Sequence, residues 1–318
     1  MSDRPRVLAS RCFAPAVRAR LAELFALDEN TTEDPLPREE LLRRAAGTAG
    51  IMVTPVDRVD AELLDAAGPG LRVVATLSVG LDHVDLAAAR ARGVTVGYTP
   101  DVLTHATAEM AIALMLSLLR RVSEGDRLIR AGRPWALTPN FMLGRSAAGL
   151  VFGCVGMGRI GRAAAGIAAA LGMEVLHTSR RPTGEPGECT LGELLARADV
   201  VSLHCPLTPD TRHLIDAAAL RAMKPDAVLV NTSRGAVVDE AALVDAIREG
   251  VIGGAALDVF EDEPRVHPGL LGLENVVMAP HLGSATLSTR TAMGMLCADA
   301  LEDVLLRGRA PANAVPSG

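Results

Sequence analysis

Short apolar runs and amphipathic stretches alternate along most of this 318-residue chain. The runs at 6–9, 50–54, 71–77 and 95–98 are short and rich in Val, Ile and Leu, which predicts buried strands. Apolar residues recur at helical spacing between them, over 15–25, 38–45, 60–67 and 85–92, the last stopped by Gly93. Strands and helices alternating in this way imply a parallel sheet covered on both faces. The longest helical pattern, 104–121, is apolar nearly all round over 110–119. Such a helix is expected between two bodies, against a second copy, or in an ordinary core. Residues 130–145 carry Gly132, Pro134, Pro139 and Gly144 and read as a loop. The alternation then resumes. Strands are predicted at 151–155, 174–178, 200–205, 227–232, 254–259 and 275–279, helices at 159–171, 191–197, 216–223 and 239–249. A last helix covers 288–307, and 310–318 reads as a loose tail.

The junction at 150–161, LVFGCVGMGRIG, changes the picture. An apolar strand runs into Gly156-x-Gly158-x-x-Gly161 and an Ala-rich helix follows directly, the context that a dinucleotide-binding fingerprint requires. Gly156 makes the turn, Gly158 lets the backbone approach a pyrophosphate, and Gly161 allows close packing of helix on strand. The helix N-terminus presents free N–H groups and partial positive charge to the phosphates. Because this fingerprint begins near mid-chain, a second α/β unit precedes it. The economical arrangement is a discontinuous outer domain of 1–100 and 287–318 around a Rossmann domain of 101–286, with the two crossings as the hinge of a cleft.

Composition removes other classes. The net charge is −6 and the charged residues are interspersed, unlike the basic stripe of a nucleic-acid binder. The most apolar window contains Ser117 and is too short for a bilayer, and no signal-peptide pattern follows Met1. A cytoplasmic protein without nucleic-acid or membrane partners is expected. The five cysteines lack CxxC spacing and read as small buried hydrophobes, with no disulfide and no metal site.

The chemistry is expected at the C-terminal strand ends, where doubly wound sheets bind ligands. Arg234 follows one strand and suits a two-pronged grip on a carboxylate. His281 follows another, after Pro280 and before a Gly-Ser turn, as a general acid–base candidate. Glu263 is its expected partner, ahead of Glu261 and Asp262, because Pro264 holds its backbone extended. A carboxylate bonded to imidazole fixes the tautomer and favours the charged ring.

With these residues in place, the chain resembles the NAD(P)-dependent D-2-hydroxyacid dehydrogenases along nearly its whole length. The matching stretches are Ser78-Val79-Gly80-Leu81-Asp82, Thr107-Ala108-Glu109, the fingerprint, 230–235, 257–264 and 280–286. Through 96–107, VGYTPDVLTHAT, it is most similar to glyoxylate/hydroxypyruvate reductases. The resemblance implies a Rossmann doubly wound sheet plus a split flavodoxin-like substrate domain, in a homodimer. It implies reduction of a small 2-oxo acid to the D-2-hydroxy acid, with His281 as proton donor supported by Glu263. Arg234 binds the substrate carboxylate, as do the N–H groups of Val79 and Gly80. Cofactor contacts fall to Thr107, Gly156, Met157, Gly158, Arg159, Ile160, Gly161, Ser179, Arg180, Arg181, Cys205, Pro206, Thr211, Thr232, Ser233, Asp258, His281 and Gly283.

Cofactor choice follows from charge. NAD enzymes place an acid after the second strand to bond the ribose 2′-OH; Ser179, Arg180 and Arg181 stand there instead. NADP(H) is the expected cofactor, with NAD(H) a possibility. Thr138 stands where some glyoxylate/hydroxypyruvate reductases carry a second aromatic after their equivalent of Trp135, which favours a broader dehydrogenase for bulkier 2-oxo acids as the alternative. A dinucleotide-sensing binding protein is the remaining reading, and the Arg234, Glu263 and His281 set speaks against it.

Overall fold

The computed structural model describes residues 4–182 and 184–316. The chain divides into two compact units, Met1–Leu103 with Ala285–Gly318, and Thr104–Ser284.

In the first unit, strands β1 (Arg6–Ala9), β2 (Ala26–Glu29), β3 (Gly50–Val53), β4 (Val73–Thr76) and β5 (Thr95–Gly97) form one sheet in the order β2-β1-β3-β4-β5. Every pairing is parallel, and this is the flavodoxin-like order. Helices α1 (Pro15–Leu24), α2 (Arg38–Ala45), α3 (Ala61–Ala67) and α4 (Leu86–Ala91) connect the strands. Leu8, Ile51, Val53, Val74 and Val96 pack against Leu41, Leu63 and Leu64. Asp60 and Asp85 cap α3 and α4 by accepting the N–H groups of Leu63 and Ala88.

The predicted last helix, α12 (Leu287–Leu305) in our numbering, returns to this sheet and buries Met293, Cys297, Ala298 and Leu301. Its Glu302 pairs with Arg20 at 2.8 Å and with Arg307 at 2.7 Å. The loose tail expected over 310–318 is overturned for the described residues up to 316. The Asn313 side chain donates to the Tyr98 carbonyl at 2.7 Å, its carbonyl accepts the Tyr98 N–H, and the Val315 N–H reaches the Val96 carbonyl. A buried amide binding two backbone groups is a stronger constraint than the polar composition suggested. Residues 317 and 318 lie outside the described residues.

The second unit opens with the long apolar helix, α5 (Thr104–Leu119), followed by α6 (Val122–Arg130). Strands β6 (Val151–Val155), β7 (Glu174–Thr178), β8 (Val200–Leu203), β9 (Val228–Asn231), β10 (Gly254–Leu257) and β11 (Val276–Met278) form a parallel sheet in the order β11-β10-β9-β8-β6-β7. A single parallel bridge from His177 to Glu188 takes the place of the outer third strand, which completes the Rossmann order. The connecting helices are α7 (Arg159–Ala170), α8 (Leu191–Arg197), α9 (Ala217–Ala222), α10 (Glu240–Arg248) and the short α11 (Pro268–Leu271). Helix α5 is a core helix of this unit: Ala108, Ala111, Ile112 and Met115 pack with Phe152, Ala164, Ala168 and Val230.

Three elements escape the apolar pattern. Strand β2, ALDE, is a half-exposed edge strand with no alternating signature. Helix α6 buries no residue, and α11 is a single turn opened by Pro268. Of the cysteines, only Cys154 and Cys297 are fully buried; Cys12, Cys189 and Cys205 are half-buried, and all are free. His177 is wholly buried with neither ring nitrogen partnered among the described residues.

Candidate active site

The glycine loop sits where the strand order reverses, between β6 and β8. Gly156 takes φ +100°, and a Cβ there would lie 2.8 Å from the Cys205 nitrogen. A Cβ on Gly161 would lie 2.2 Å from the Gly156 carbonyl oxygen. Both sites therefore admit only glycine, one for conformation and contact, the other for contact alone. Gly158 precedes α7 and offers no side-chain cap, and nothing lies within 4 Å of where its Cβ would stand. The N–H groups of Ile160 and Gly161, in the first turn of this twelve-residue helix, have no acceptor among the described residues, which is what phosphate binding at a helix start requires. The half-buried Ser179 hydroxyl accepts the Met157 N–H at 3.4 Å and ties the end of β7 to this loop. Arg180 and Arg181 are exposed, and no ion pair engages either among the described residues.

On the other side of the reversal, Thr211 is turned inward. Its hydroxyl donates to the Pro206 carbonyl at 2.6 Å and accepts the Thr208 N–H, so it shapes the 206–211 loop. The Thr232 hydroxyl, after β9, is buried without a partner among the described residues. A buried orphan hydroxyl costs about 1–3 kcal/mol and suits a hydrogen-bonding ligand. With the open helix terminus, it makes these residues fit a bound dinucleotide.

Around the candidate reacting groups, the loops are stitched together by hydrogen bonds. His281 Nδ1 lies 2.8 Å from Glu263 Oε2. An ionised carboxylate only accepts, so Nδ1 carries the proton and Nε2 is left for an external partner. Glu263 Oε1 meanwhile accepts the Phe260 N–H at 3.0 Å. Burial pushes the Glu263 carboxyl up, but the His281 bond and charge, the Phe260 N–H and the charge of Arg234 together bring it below its ordinary value. The Glu263–Pro264 peptide bond is cis.

His281 itself takes φ +55°, a conformation that costs an ordinary residue about 1 kcal/mol. Asp258 holds it there. The Asp258 carbonyl accepts the His281 N–H at 2.8 Å, and its buried carboxylate accepts the N–H groups of Leu282 at 2.6 Å and Gly283 at 2.7 Å. Burial raises the Asp258 carboxyl above its ordinary value. A Cβ on Gly283 would stand 3.4 Å from Thr107 Cγ2, so α5 abuts the same loop.

Arg234 is fixed by a residue that sequence reasoning left without a role. The Asn231 side chain accepts the Ser233 N–H at 3.0 Å and hydroxyl at 2.9 Å, and donates to the Arg234 carbonyl at 2.9 Å. The Arg234 guanidinium donates to the Ser233 carbonyl. Gly235 then seats the turn on the neighbouring strand end: a Cβ there would lie 1.9 Å from the Phe260 carbonyl carbon. The signal for Asn231 was its place at a strand end before a Ser, where Asn closes turns through its own side chain.

Val79 and Gly80 belong to the first unit, after β4. Ser78 closes their loop by donating its hydroxyl to the Gly80 carbonyl at 2.6 Å. The N–H groups of Val79 and Gly80 have no acceptor among the described residues. No group of three His, Cys, Asp or Glu side chains gathers as a metal site among the described residues, and no described helix is long and apolar enough to cross a membrane.

Known proteins are similar to this chain in sequence and fold. The family model for the NAD-binding domain of D-isomer specific 2-hydroxyacid dehydrogenases matches residues 112–283. The chain belongs to that family. It is 43% identical over 324 residues to the glyoxylate reductase of Aeropyrum pernix, covering 98% of this chain and 96% of that protein. The TT0316 protein of Thermus thermophilus shares its fold with a TM-score of 0.92 and 46% identity, covering 98% of this chain and all of that one. An NADPH-dependent glyoxylate/hydroxypyruvate reductase of Sinorhizobium meliloti, solved with NADP and malonate, gives 0.85 and 36% over 98% and 97% of the two chains. This D-2-hydroxyacid dehydrogenase is therefore an NAD(P)-dependent oxidoreductase that works with a nicotinamide dinucleotide.

Proposed function

We propose that this dehydrogenase reduces a small 2-oxo acid, glyoxylate or hydroxypyruvate, to the D-2-hydroxy acid and prefers NADPH. The observation that carries the reading is the 2.8 Å His281–Glu263 pair, beside an arginine turn packed on the Phe260–Glu261 peptide. Arg234 grips the substrate carboxylate and draws electron density from the neighbouring carbonyl. The N–H groups of Val79 and Gly80 are further carboxylate donors. His281 gives the Nε2 proton to the carbonyl oxygen as charge develops there, while Glu263 holds the ring and stabilises its charged form. The dinucleotide, when bound, supplies the hydride. Gly156–Gly161, Thr107, Cys205, Pro206, Thr232 and Ser233 are the residues proposed to hold it, with Asp258 toward the nicotinamide. Ser179 and Arg180 favour NADPH, because a serine and an unengaged guanidinium attract a 2′-phosphate where an acid would repel it.

A homodimer is part of this reading. Val122, Ile129, Trp135, Leu137 and Leu143 are all exposed on α6 and the following loop, and an apolar surface of that kind marks an interaction site. Thr138 favours a second reading, a wider pocket for bulkier 2-oxo acids. Initial rates on 2-oxo acids from glyoxylate to phenylpyruvate, with each cofactor, test both. Highest kcat/KM on the smallest acids with NADPH is the expected result; a maximum on phenylpyruvate supports the wider pocket, and no turnover on any acid overturns the proposal.

A further inference from the structure

Glu240 is the first residue of α10 and is 5% exposed. Burying a carboxyl is costly unless hydrogen bonds satisfy it. Helix capping does not explain its presence, because the neighbouring Asp239 already caps α10 by accepting the Ala242 N–H at 3.0 Å. Its partner lies elsewhere. Glu240 Oε1 accepts the Glu261 N–H at 2.6 Å, two residues before Glu263.

The Phe260–Glu261 peptide that Glu240 holds is the point where the reacting loops meet. The adjoining Phe260 N–H, on the Val259–Phe260 peptide, donates to Glu263 Oε1, opposite the oxygen that holds His281. The Phe260–Glu261 peptide is itself the surface against which Gly235 is packed, so the turn after Arg234 rests on it. From the far side, His213 Nε2 lies 2.6 Å from Glu261 Oε1, and the His213 N–H reaches the Ala236 carbonyl at 2.9 Å. No described bond links Glu240 to Arg234, Glu263 or His281 directly.

We propose that Glu240 is a positioning residue for the reaction: by accepting the Glu261 N–H it fixes the Phe260–Glu261 peptide, on which the Arg234 turn is packed, and through Phe260 the adjoining N–H that aligns the Glu263 carboxylate. The inference rests on Glu263, His281 and Arg234 as the reacting set. What matters is an acceptor oxygen at glutamate length, with charge playing no part. Glu240→Gln keeps the oxygen and loses the charge. Glu240→Asp keeps the charge and withdraws the oxygen by one methylene. Glu240→Ala removes both.

The test measures kcat/KM for glyoxylate with NADPH, the solvent deuterium isotope effect on kcat, and NADPH affinity by fluorescence titration, in wild type and the three variants. Glu240→Gln is expected within about twofold of wild type. Glu240→Asp and Glu240→Ala are expected to lose about tenfold to a hundredfold, the scale of a misplaced reacting group. Their isotope effect rises and their NADPH affinity stays within about twofold, which separates misaligned proton transfer from general loosening. Wild-type rates in all three variants overturn the proposal, as does a Gln variant as damaged as Ala, or a loss shared equally by NADPH binding. A wild type that turns over no 2-oxo acid overturns the functional reading itself, and this proposal with it.

Discussion

His281 is bound on both sides of its ring-bearing residue: Glu263 takes Nδ1, and Asp258 takes three successive N–H groups from the loop. A residue held at φ +55° by that many bonds has one orientation to offer a substrate. Gly235 is equally constrained. Gly235→Ala forces a methyl into the Phe260 backbone and is expected to cost about 1–3 kcal/mol, read as a lower midpoint in urea, with a fall in kcat. At the cofactor end, Arg180→Ala is expected to lower kcat/KM with NADPH about tenfold or more and leave NADH unchanged, the worth of a charge-assisted bond. Ser179→Asp turns the preference toward NADH. A comparison of the two cofactors in each variant checks this, and unchanged NADPH rates would contradict it.

The strands and helices were legible wherever packing wrote a period into the chain. The limits of α2, β1 and β7 are those that periodicity predicts. The place of the candidate reacting residues was legible because strand ends in doubly wound sheets are sparse in alternatives, and Arg234, Glu263 and His281 each follow one. What was not legible is what acts across elements. Asn231 looks like any polar strand end, and Glu240 looks like an ordinary first-turn acid; their roles exist only once Arg234 and Glu261 have been folded beside them. Strand β2 and helix α6 bury too little to carry a pattern. Asp199, before β8, shows the same blindness. It accepts the Val151 N–H at 2.8 Å and pairs with Arg145 and with Lys224, the only lysine, both at 3.1 Å. Burial pushes its carboxyl up, but these bonds win and hold it below the usual 3.8. A depressed carboxyl stabilises the fold above the unfolded value and loses that contribution as pH falls through the folded one. Denaturation midpoints of wild type should therefore drop on acidification below about pH 4. Asp199→Asn is expected to show a shallower drop, from a lower starting stability.

At the scale of the molecule, each unit closes its own core, and the first is completed by α12 and the tail through Asn313. That is why a segment with the composition of a loose tail is ordered up to 316. The second unit carries the exposed apolar stretch from Val122 to Leu143, so light scattering is expected to give a dimer. Leu137→Asp with Leu143→Asp should shift it toward monomer; a wild-type monomer would contradict that part of the account. The proposed reaction stands on one histidine. The direct test is glyoxylate-dependent NADPH oxidation by wild type and His281→Ala, with NADPH affinity measured in both. Wild type should turn over, and the variant should lose about a hundredfold or more in kcat with its NADPH affinity unchanged. Equal rates in the two proteins would contradict the account.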